Sequence, residues 1–170
     1  MEDSKYYERK NIPRFPTYHY KFTKPIFITM NAKRSLPLFG SVKDGVWHPD
    51  PAGKMVEQWF YRIEDHFSEV RCDVFQCMPT HVHFILAPRY FDTQPRYLNE
   101  TLMEVMQWYK SRTTNAYIDG VRRLGWPRFP NQLWHRSYYE SLITSTDSWL
   151  AVRHYIRNNP KAWRNRAKKS

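Results

Sequence analysis

Residues 72–87 read CDVFQCMPTHVHFILA, two apolar runs separated only by Pro79 and Thr80. Each run has the length and apolar content of a buried strand, so we expect two antiparallel strands joined by a short turn. Because successive side chains of a strand point to opposite faces, the imidazoles of His81 and His83 leave the same face of the second strand. Such a pair is either a set of metal ligands or two hydrogen-bonded histidines of a strand, and this stretch alone leaves both interpretations open.

The flanking sequence supplies the other elements of an α+β domain. A first strand is expected at 25–32 (PIFITMNA) and a fourth at 133–143 (LWHRSYYESLI). Helices are expected at 52–70, 97–124 and 145–163, where apolar residues recur at helical spacing. The order β, α, β, β, α, β and then a helix is that of a ferredoxin-like fold: an antiparallel sheet with helices on one face, followed here by a C-terminal helix.

The remaining segments are expected to be irregular. Residues 1–24 lack a clear periodicity and are interpreted as an arm, and residues 161–170 as a basic tail. The segment between the first strand and the first helix, which carries Gly40 and Gly45, is expected to be a loop. No linker or change in composition divides the 170 residues, so we expect one domain over 1–170.

Cysteine content and the absence of long apolar runs indicate a cytoplasmic protein. No apolar run approaches the roughly 20 residues that span a bilayer, and the first residues are charged where a signal peptide would be apolar. Cys72 and Cys77 lie five positions apart, so on one regular strand they face opposite sides and are not expected to form a disulfide.

Charge and aromatic content point to a nucleic-acid partner. The chain carries 27 Lys and Arg residues against 16 acidic ones, a formal net charge of +11, and 17% of its residues are Phe, Trp or Tyr. Basic groups hold phosphates, and aromatic rings stack on unpaired bases. No glycine-rich phosphate loop followed by lysine is present, so nothing indicates nucleotide hydrolysis.

The last predicted helix contains HYIRNNP, in which Tyr155 and Asn159 are four residues apart. Side chains at this spacing lie on one face of a helix, so a phenol and an amide can reach the same point. The alternative is structural: Tyr155 packs against the sheet, and Asn159 ends the helix because Pro160 disfavours a helical residue before it.

Taken together, these motifs resemble those of the His-hydrophobe-His single-tyrosine nucleases. The resemblance is specifically to the transposases associated with repetitive extragenic palindromes (REP), a branch of the insertion-sequence family of single-tyrosine transposases. It runs through nearly the whole chain, in the order RKNIPRFPTYHY, SLPLFG, MPTHVHFIL, WYKSRTTNAYI, LWHRSYYESLI and YIRNNPKAW. Three positions depart from the family pattern: Thr80, His135 and Ser141 stand where Asn, Gln and His are usual.

The resemblance implies a metal-dependent transesterase. It makes His81, His83 and Asn159 ligands of Mg²⁺ or Mn²⁺ and Tyr155 the nucleophile, carried on the C-terminal helix. Neutral imidazole and carbonyl ligands would leave the full charge of the cation for a phosphate oxygen. The implied substrate is single-stranded DNA beside a hairpin, cleaved through a 5′-phosphotyrosine intermediate in the bacterial cytoplasm, in association with the nucleoid. The chain could be a monomer or a homodimer.

Basic and aromatic residues of the C-terminal part are the candidates for DNA contacts. Phosphate contacts are expected from Arg122, Arg123, Arg128, Lys161, Arg164, Arg166, Lys168 and Lys169, and base stacking from Trp126 and Phe129. Each basic residue is equally well interpreted as a solvated surface charge.

Two other functions are compatible with the motifs. One is a domesticated protein that binds hairpin DNA or RNA without cutting it. The other is a structural zinc site made by Cys77, His81 and His83, although Pro79 breaks the strand between them and no fourth ligand stands at zinc-finger spacing.

Overall fold

The computed structural model describes residues 24–89 and 101–163, which form a four-stranded antiparallel sheet with helices on both faces. The elements are β1 (Ile26–Asn31), β2 (Ser41–Lys43), β3 (Val46–His48), α1 (Pro51–Tyr61), α2 (Ile63–His66), β4 (Val70–Met78), β5 (His81–Pro88), α3 (Leu102–Leu124), β6 (Tyr139–Leu142) and α4 (Thr146–Ala162). The predicted arm, except for Lys24, and most of the predicted basic tail lie outside the described residues.

Strand order and direction confirm the ferredoxin-like fold. The sheet runs β4-β5-β1-β6, and each neighbouring pair is antiparallel. Helices α1 and α3 cover one face with the larger apolar cluster, in which Phe60, Phe84 and Tyr109 are fully buried. Helix α4 covers the other face, where Ile156 packs with Phe27 and its neighbours. The sheet therefore separates two packed layers, and the site described below lies on the α4 side.

The segment predicted as a loop after β1 contains a β-hairpin. Strands β2 and β3 pair across Asp44 and Gly45, whose φ angles of 52° and 73° are both positive. Asp-Gly is the sequence that favours such a two-residue turn, because both positions require a left-handed conformation. Gly45 lies against the backbone of Lys161: a Cβ built on Gly45 would come within 3.3 Å of its Cα. The hairpin therefore abuts the end of α4.

Strand β4 contains a bulge that overturns the expected placement of its cysteines. Cys72 pairs with Leu86 and Phe75 with Phe84, so three positions of β4 span two of β5. The extra residue reverses the alternation, and Cys72 and Cys77 both lie buried in the larger cluster, each as a free thiol. The prediction that they face opposite sides was wrong, whereas the absence of a disulfide between them is confirmed.

The C-terminal helix closely matches its predicted range of 145–163 and runs through Pro160, so the alternative in which Asn159 ends the helix was wrong. Ser145 caps α4 by accepting a hydrogen bond from the backbone of Ser148, and the helix extends to Ala162 with Pro160 in its last turn. A proline so close to the end removes little of the hydrogen-bond ladder. Asn159 is thus a helical residue. None of the described helices is long and apolar enough to cross a membrane.

Candidate active site

The two histidines of β5 turn their rings toward each other on the α4 side of the sheet. His81 and His83 pair in register with Asn31 and Thr29 of β1. Their Nε2 atoms are 3.0 Å apart, and His83 is only 4% exposed. Burial, followed by the neighbouring His81, lowers the pKa of His83 well below its ordinary value. A neutral imidazole is the form that binds metal ions.

Two threonine hydroxyls hold the opposite nitrogens of these rings. Thr80 Oγ1 lies 2.9 Å from His81 Nδ1, and Thr29 Oγ1 lies 2.8 Å from His83 Nδ1. A hydroxyl can donate or accept, so it fits either tautomer of the ring. Hydrogen bonds to the far nitrogen are the usual means of orienting metal-binding histidines. Each ring is therefore fixed with its Nε2 toward the space that the pair shares.

The geometry of the pair fits a small divalent cation. The 3.0 Å separation of the Nε2 atoms suits one hydrogen bond between neutral rings. It is also roughly the distance between two donors at right angles around an ion that binds nitrogen at about 2.1 Å. Within the described part of the chain, no group of three or more His, Cys, Asp and Glu residues is arranged to hold a metal ion. A third metal ligand among the described residues would therefore have to come from another kind of side chain, such as an amide.

Tyr155 of α4 stands against the histidine pair. Its ring centroid is 5.6 Å from that of His83, and Phe27 contacts both rings, at 6.0 Å from Tyr155 and 5.8 Å from His83. The side chain of Asn159, one helical turn later, hydrogen-bonds to Tyr155. A chain of contacts therefore connects the two residues singled out on β5 with the two on α4, although the pairs lie more than 70 positions apart in sequence.

Burial favours the protonated form of the Tyr155 phenol. It raises the pKa of Tyr155 above its ordinary value, the hydrogen bond from Asn159 acts in the opposite direction, and the nearby phenol of Tyr139 raises the pKa further. The phenol is therefore protonated at neutral pH, and any attack by its oxygen must be accompanied by loss of that proton.

Comparison with known proteins relates this arrangement to a family. The model of the family described as "Transposase IS200 like" matches residues 45–159, about two thirds of the chain, including both histidines, Tyr155 and Asn159. The chain belongs to the IS200-like transposase family. An uncharacterized protein of Haemophilus influenzae is 30% identical over 166 residues, covering 92% of this chain and 91% of its own length. Transposases cut DNA, so the convergent residues are candidates for that chemistry.

Two solved structures share the fold of this IS200-like chain. A REP-associated tyrosine transposase, solved bound to a REP hairpin, aligns with a TM-score of 0.57 at 15% identity, over 87% of this chain and 72% of that one. A candidate transposase from Deinococcus radiodurans R1 aligns with a TM-score of 0.50 at 17% identity, over 84% of this chain and 94% of that one. At these identities the similarities establish the fold alone.

Three residues at the site of this family member were not among the predicted site residues. Thr29 orients His83, Tyr139 pairs with Thr29 from β6, and the ring of Trp163 lies 5.7 Å from that of His81 just after α4. Thr29 and Tyr139 depend on the pairing of β1 with its neighbours, which a single sequence does not reveal. For Trp163, its position four residues after Asn159 is a usable signal.

Tyr138, just before β6, and Tyr139, its first residue, face opposite sides of the sheet. Tyr139 lies on the side of Tyr155, whereas Tyr138 packs against the larger cluster, with Lys110 Nζ 5.3 Å from its ring centre. Cys77 pairs with Val82 and is buried in that same cluster, on the other face from the histidines. A zinc site that combines Cys77 with His83 is therefore incompatible with the fold.

Four of the predicted DNA-contact residues lie outside the described residues: Arg164, Arg166, Lys168 and Lys169. The exposed members within the described part are Arg122, Arg123, Arg128 and Lys161.

The two predicted stacking residues are partly buried. The ring of Trp126 covers Gly120 of α3, and Phe129 packs edge-on against Tyr117. Phe129 also lines an open pocket of about 320 Å³ together with Arg122 and Arg128. These rings therefore have packing roles, and base stacking stays a prediction for both.

Proposed function

We propose that this chain cuts and rejoins single-stranded DNA beside a hairpin through a covalent bond to Tyr155. The observation that carries the proposal is the meeting of a phenol from α4 with two inward-turned imidazoles from β5. Membership of the IS200-like family supports the reaction class. The fold relative that was solved bound to a REP hairpin supports the choice of substrate.

In the proposed step, the Oη atom of Tyr155 attacks the phosphorus of a phosphodiester. A bond forms between Oη and phosphorus, and the bond from phosphorus to the 3′ oxygen of the preceding nucleotide breaks. The phenol proton leaves with attack, and a proton ends on the departing 3′ oxygen, giving a 5′-phosphotyrosine and a free 3′-hydroxyl. A 3′-hydroxyl can reverse the step on the same or another strand. Because the ester energy is conserved, rejoining needs no nucleotide cofactor.

His81, His83 and Asn159 are proposed to hold Mg²⁺ or Mn²⁺. A cation bound there would act as a Lewis acid on a phosphate oxygen. An amide can serve two groups at once, so Asn159, which hydrogen-bonds to Tyr155, could donate its N–H to the phenol and offer its carbonyl oxygen to the cation. The threonine hydroxyls would keep the Nε2 atoms of both imidazoles turned toward such a cation.

The basic residues are proposed to hold the DNA backbone. Arg122, Arg123, Arg128 and Lys161 are exposed and cationic, as phosphate contacts require. The backbone N–H of His135 donates to the carbonyl of Asn31, which pairs with His81 across the sheet, so the loop that follows α3 passes the end of β1, one strand away from the histidine strand. Because α3 and Tyr155 lie on opposite faces of the sheet, DNA bound to α3 would have to pass around this loop to reach Tyr155. With such a substrate, we expect the protein to act in association with the nucleoid of a bacterial cell.

The test uses a hairpin oligonucleotide with a single-stranded flank, labelled separately at each end, with Mn²⁺ and purified protein. A 5′-phosphotyrosine retains the downstream strand, so a 3′-end label should remain with the protein in a denaturing gel and a 5′-end label should be released. Tyr155→Phe should abolish the adduct, whereas the matched variant Tyr139→Phe should keep it.

Retention of the 5′ label would reverse the proposed polarity. An adduct in Tyr155→Phe would place the nucleophile elsewhere, with Tyr139 next to be tested. If wild-type protein binds hairpins tightly and forms no adduct on any of them, the chain is a hairpin-binding protein without cleavage activity.

A further inference from the structure

The bulge of β4 directs two consecutive side chains toward α4. Asp73 and Val74 lie between Cys72 and Phe75, and both face the α4 side of the sheet. Val74 joins the apolar cluster beneath α4, and Asp73 contacts the helix itself. On a regular strand, one of these two residues would point to the opposite face. The irregularity therefore puts a carboxylate under the helix that carries Tyr155.

The carboxylate of Asp73 contacts two side chains from one turn of α4. Trp149 Nε1 donates a hydrogen bond of 2.6 Å to Oδ2, and Arg153 Nη2 lies 3.4 Å from Oδ1. The side chain of Asp73 is only 7% exposed. Trp149 and Arg153 are four residues apart and so share a helix face. The shorter contact makes Trp149 the principal partner, and the arginine supplies the compensating charge that a buried carboxylate requires.

This contact differs in kind from the rest of the α4 interface. Ile156 and its neighbours bury apolar surface, which attracts the helix to the sheet but is non-directional. A hydrogen bond and an ion pair to one carboxylate specify both the rotation of the helix and its position along its axis. A slip by one residue moves a helix about 1.5 Å and rotates it by about 100°. Misplacement by about 1 Å can slow an enzymatic step about a hundredfold.

We propose that Asp73 is a positioning residue that fixes α4 through Trp149 and Arg153, so that Tyr155 stays aligned with the histidine pair of β5. The role in catalysis rests on the function proposed above. The anchoring of the helix does not, because it concerns α4 and β4 in the free protein.

The test compares Asp73→Asn, which keeps an acceptor for Trp149, with Asp73→Ala, which keeps none, and with Trp149→Phe, which keeps an aromatic ring. Asp65→Asn, on the exposed surface of α2, is the matched control for loss of charge. We expect adduct formation to slow about tenfold in Asp73→Asn and about a hundredfold in Asp73→Ala. Hairpin affinity should change less than twofold, whereas Mn²⁺ affinity should fall, because the proposed ligand Asn159 is carried by the same helix. Amide hydrogen exchange should accelerate in α4 and stay unchanged in α3.

A wild-type rate of adduct formation in Asp73→Ala would overturn the proposal, as would equal losses of rate and hairpin affinity. If Asp73→Ala unfolds, amide exchange in α3 will accelerate too, and Trp149→Phe then becomes the deciding variant. Trp149→Phe must slow adduct formation without weakening hairpin binding. In the double variant, Asp73→Asn must cause little further loss of rate. If wild-type protein forms no adduct at all, the proposed function fails separately. Amide hydrogen exchange in α4 of Asp73→Ala then tests the anchoring of the helix. An exchange rate unchanged from wild type would refute it.

Discussion

Thr29→Val removes one hydroxyl and leaves the shape of the side chain and its strand propensity almost unchanged. The lost group bonds His83 Nδ1 at 2.8 Å, and His83 is 4% exposed, so water has little access to replace it. Leaving a buried polar atom without a partner costs about 1–3 kcal/mol. The free energy of unfolding should fall by that amount.

The more specific effect of Thr29→Val is on cation binding. Groups that orient metal-binding histidines contribute typically about 10–100-fold in affinity. We therefore expect the dissociation constant for Mn²⁺, measured from the paramagnetic resonance signal of the free ion, to rise by that factor. Thr144→Val, in the exposed connection between β6 and α4, should leave it unchanged. A folded Thr29→Val protein whose Mn²⁺ affinity stays within twofold of wild type would refute this account of the histidine pair.

Three further outcomes are expected. Changing His81 and His83 together to alanine should abolish cleavage. Hairpin binding in a gel-shift assay should stay nearly intact, because phosphate contacts carry most of the affinity. Normal cleavage by this variant would show that the two histidines do not hold a required metal ion. Raising salt from about 50 to 200 mM should weaken hairpin binding on the order of a thousandfold if about six phosphates are neutralised. An affinity that does not change with salt would show that the basic residues do not hold the DNA backbone. Burial raises the pKa of both Cys72 and Cys77, so the folded protein keeps thiol protons that the unfolded chain releases above about pH 8.5. That stability is fully present below this pH and declines above it, so the unfolding free energy should fall in alkaline titration, and less steeply in a variant with alanine at both cysteines.

The order of elements and the candidate site could be predicted because strong local patterns carry them. The run around His83 has strand periodicity, and the spacing of Tyr155 and Asn159 has a defined meaning once a helix is assumed. The hairpin after β1 was also predictable, since Asp44-Gly45 lies between short runs that contain valine, but Gly40 and Gly45 were interpreted only as loop residues.

Other features depend on pairing between distant segments. The faces of Cys72 and Cys77 follow from a bulge, and period-two reasoning fails when three residues of one strand span two of the next. Thr29 becomes part of the site only through its register with His83, 54 residues away. Asp73 gains its partners from α4, 76 residues later for Trp149. Neither the bulge nor these long-range contacts can be recognised from a local sequence pattern.

The central claim concerns one oxygen atom, and the most direct measurement identifies the residue that becomes linked to DNA. Wild-type protein would be incubated with the flanked hairpin and Mn²⁺, digested with protease and nuclease, and the modified peptide sequenced by mass spectrometry. The account predicts a nucleotide joined through its 5′-phosphate to Tyr155 in the peptide that contains HYIRNNP. A nucleotide on Tyr139 or on any other residue, or a 3′-phosphate linkage, would contradict it.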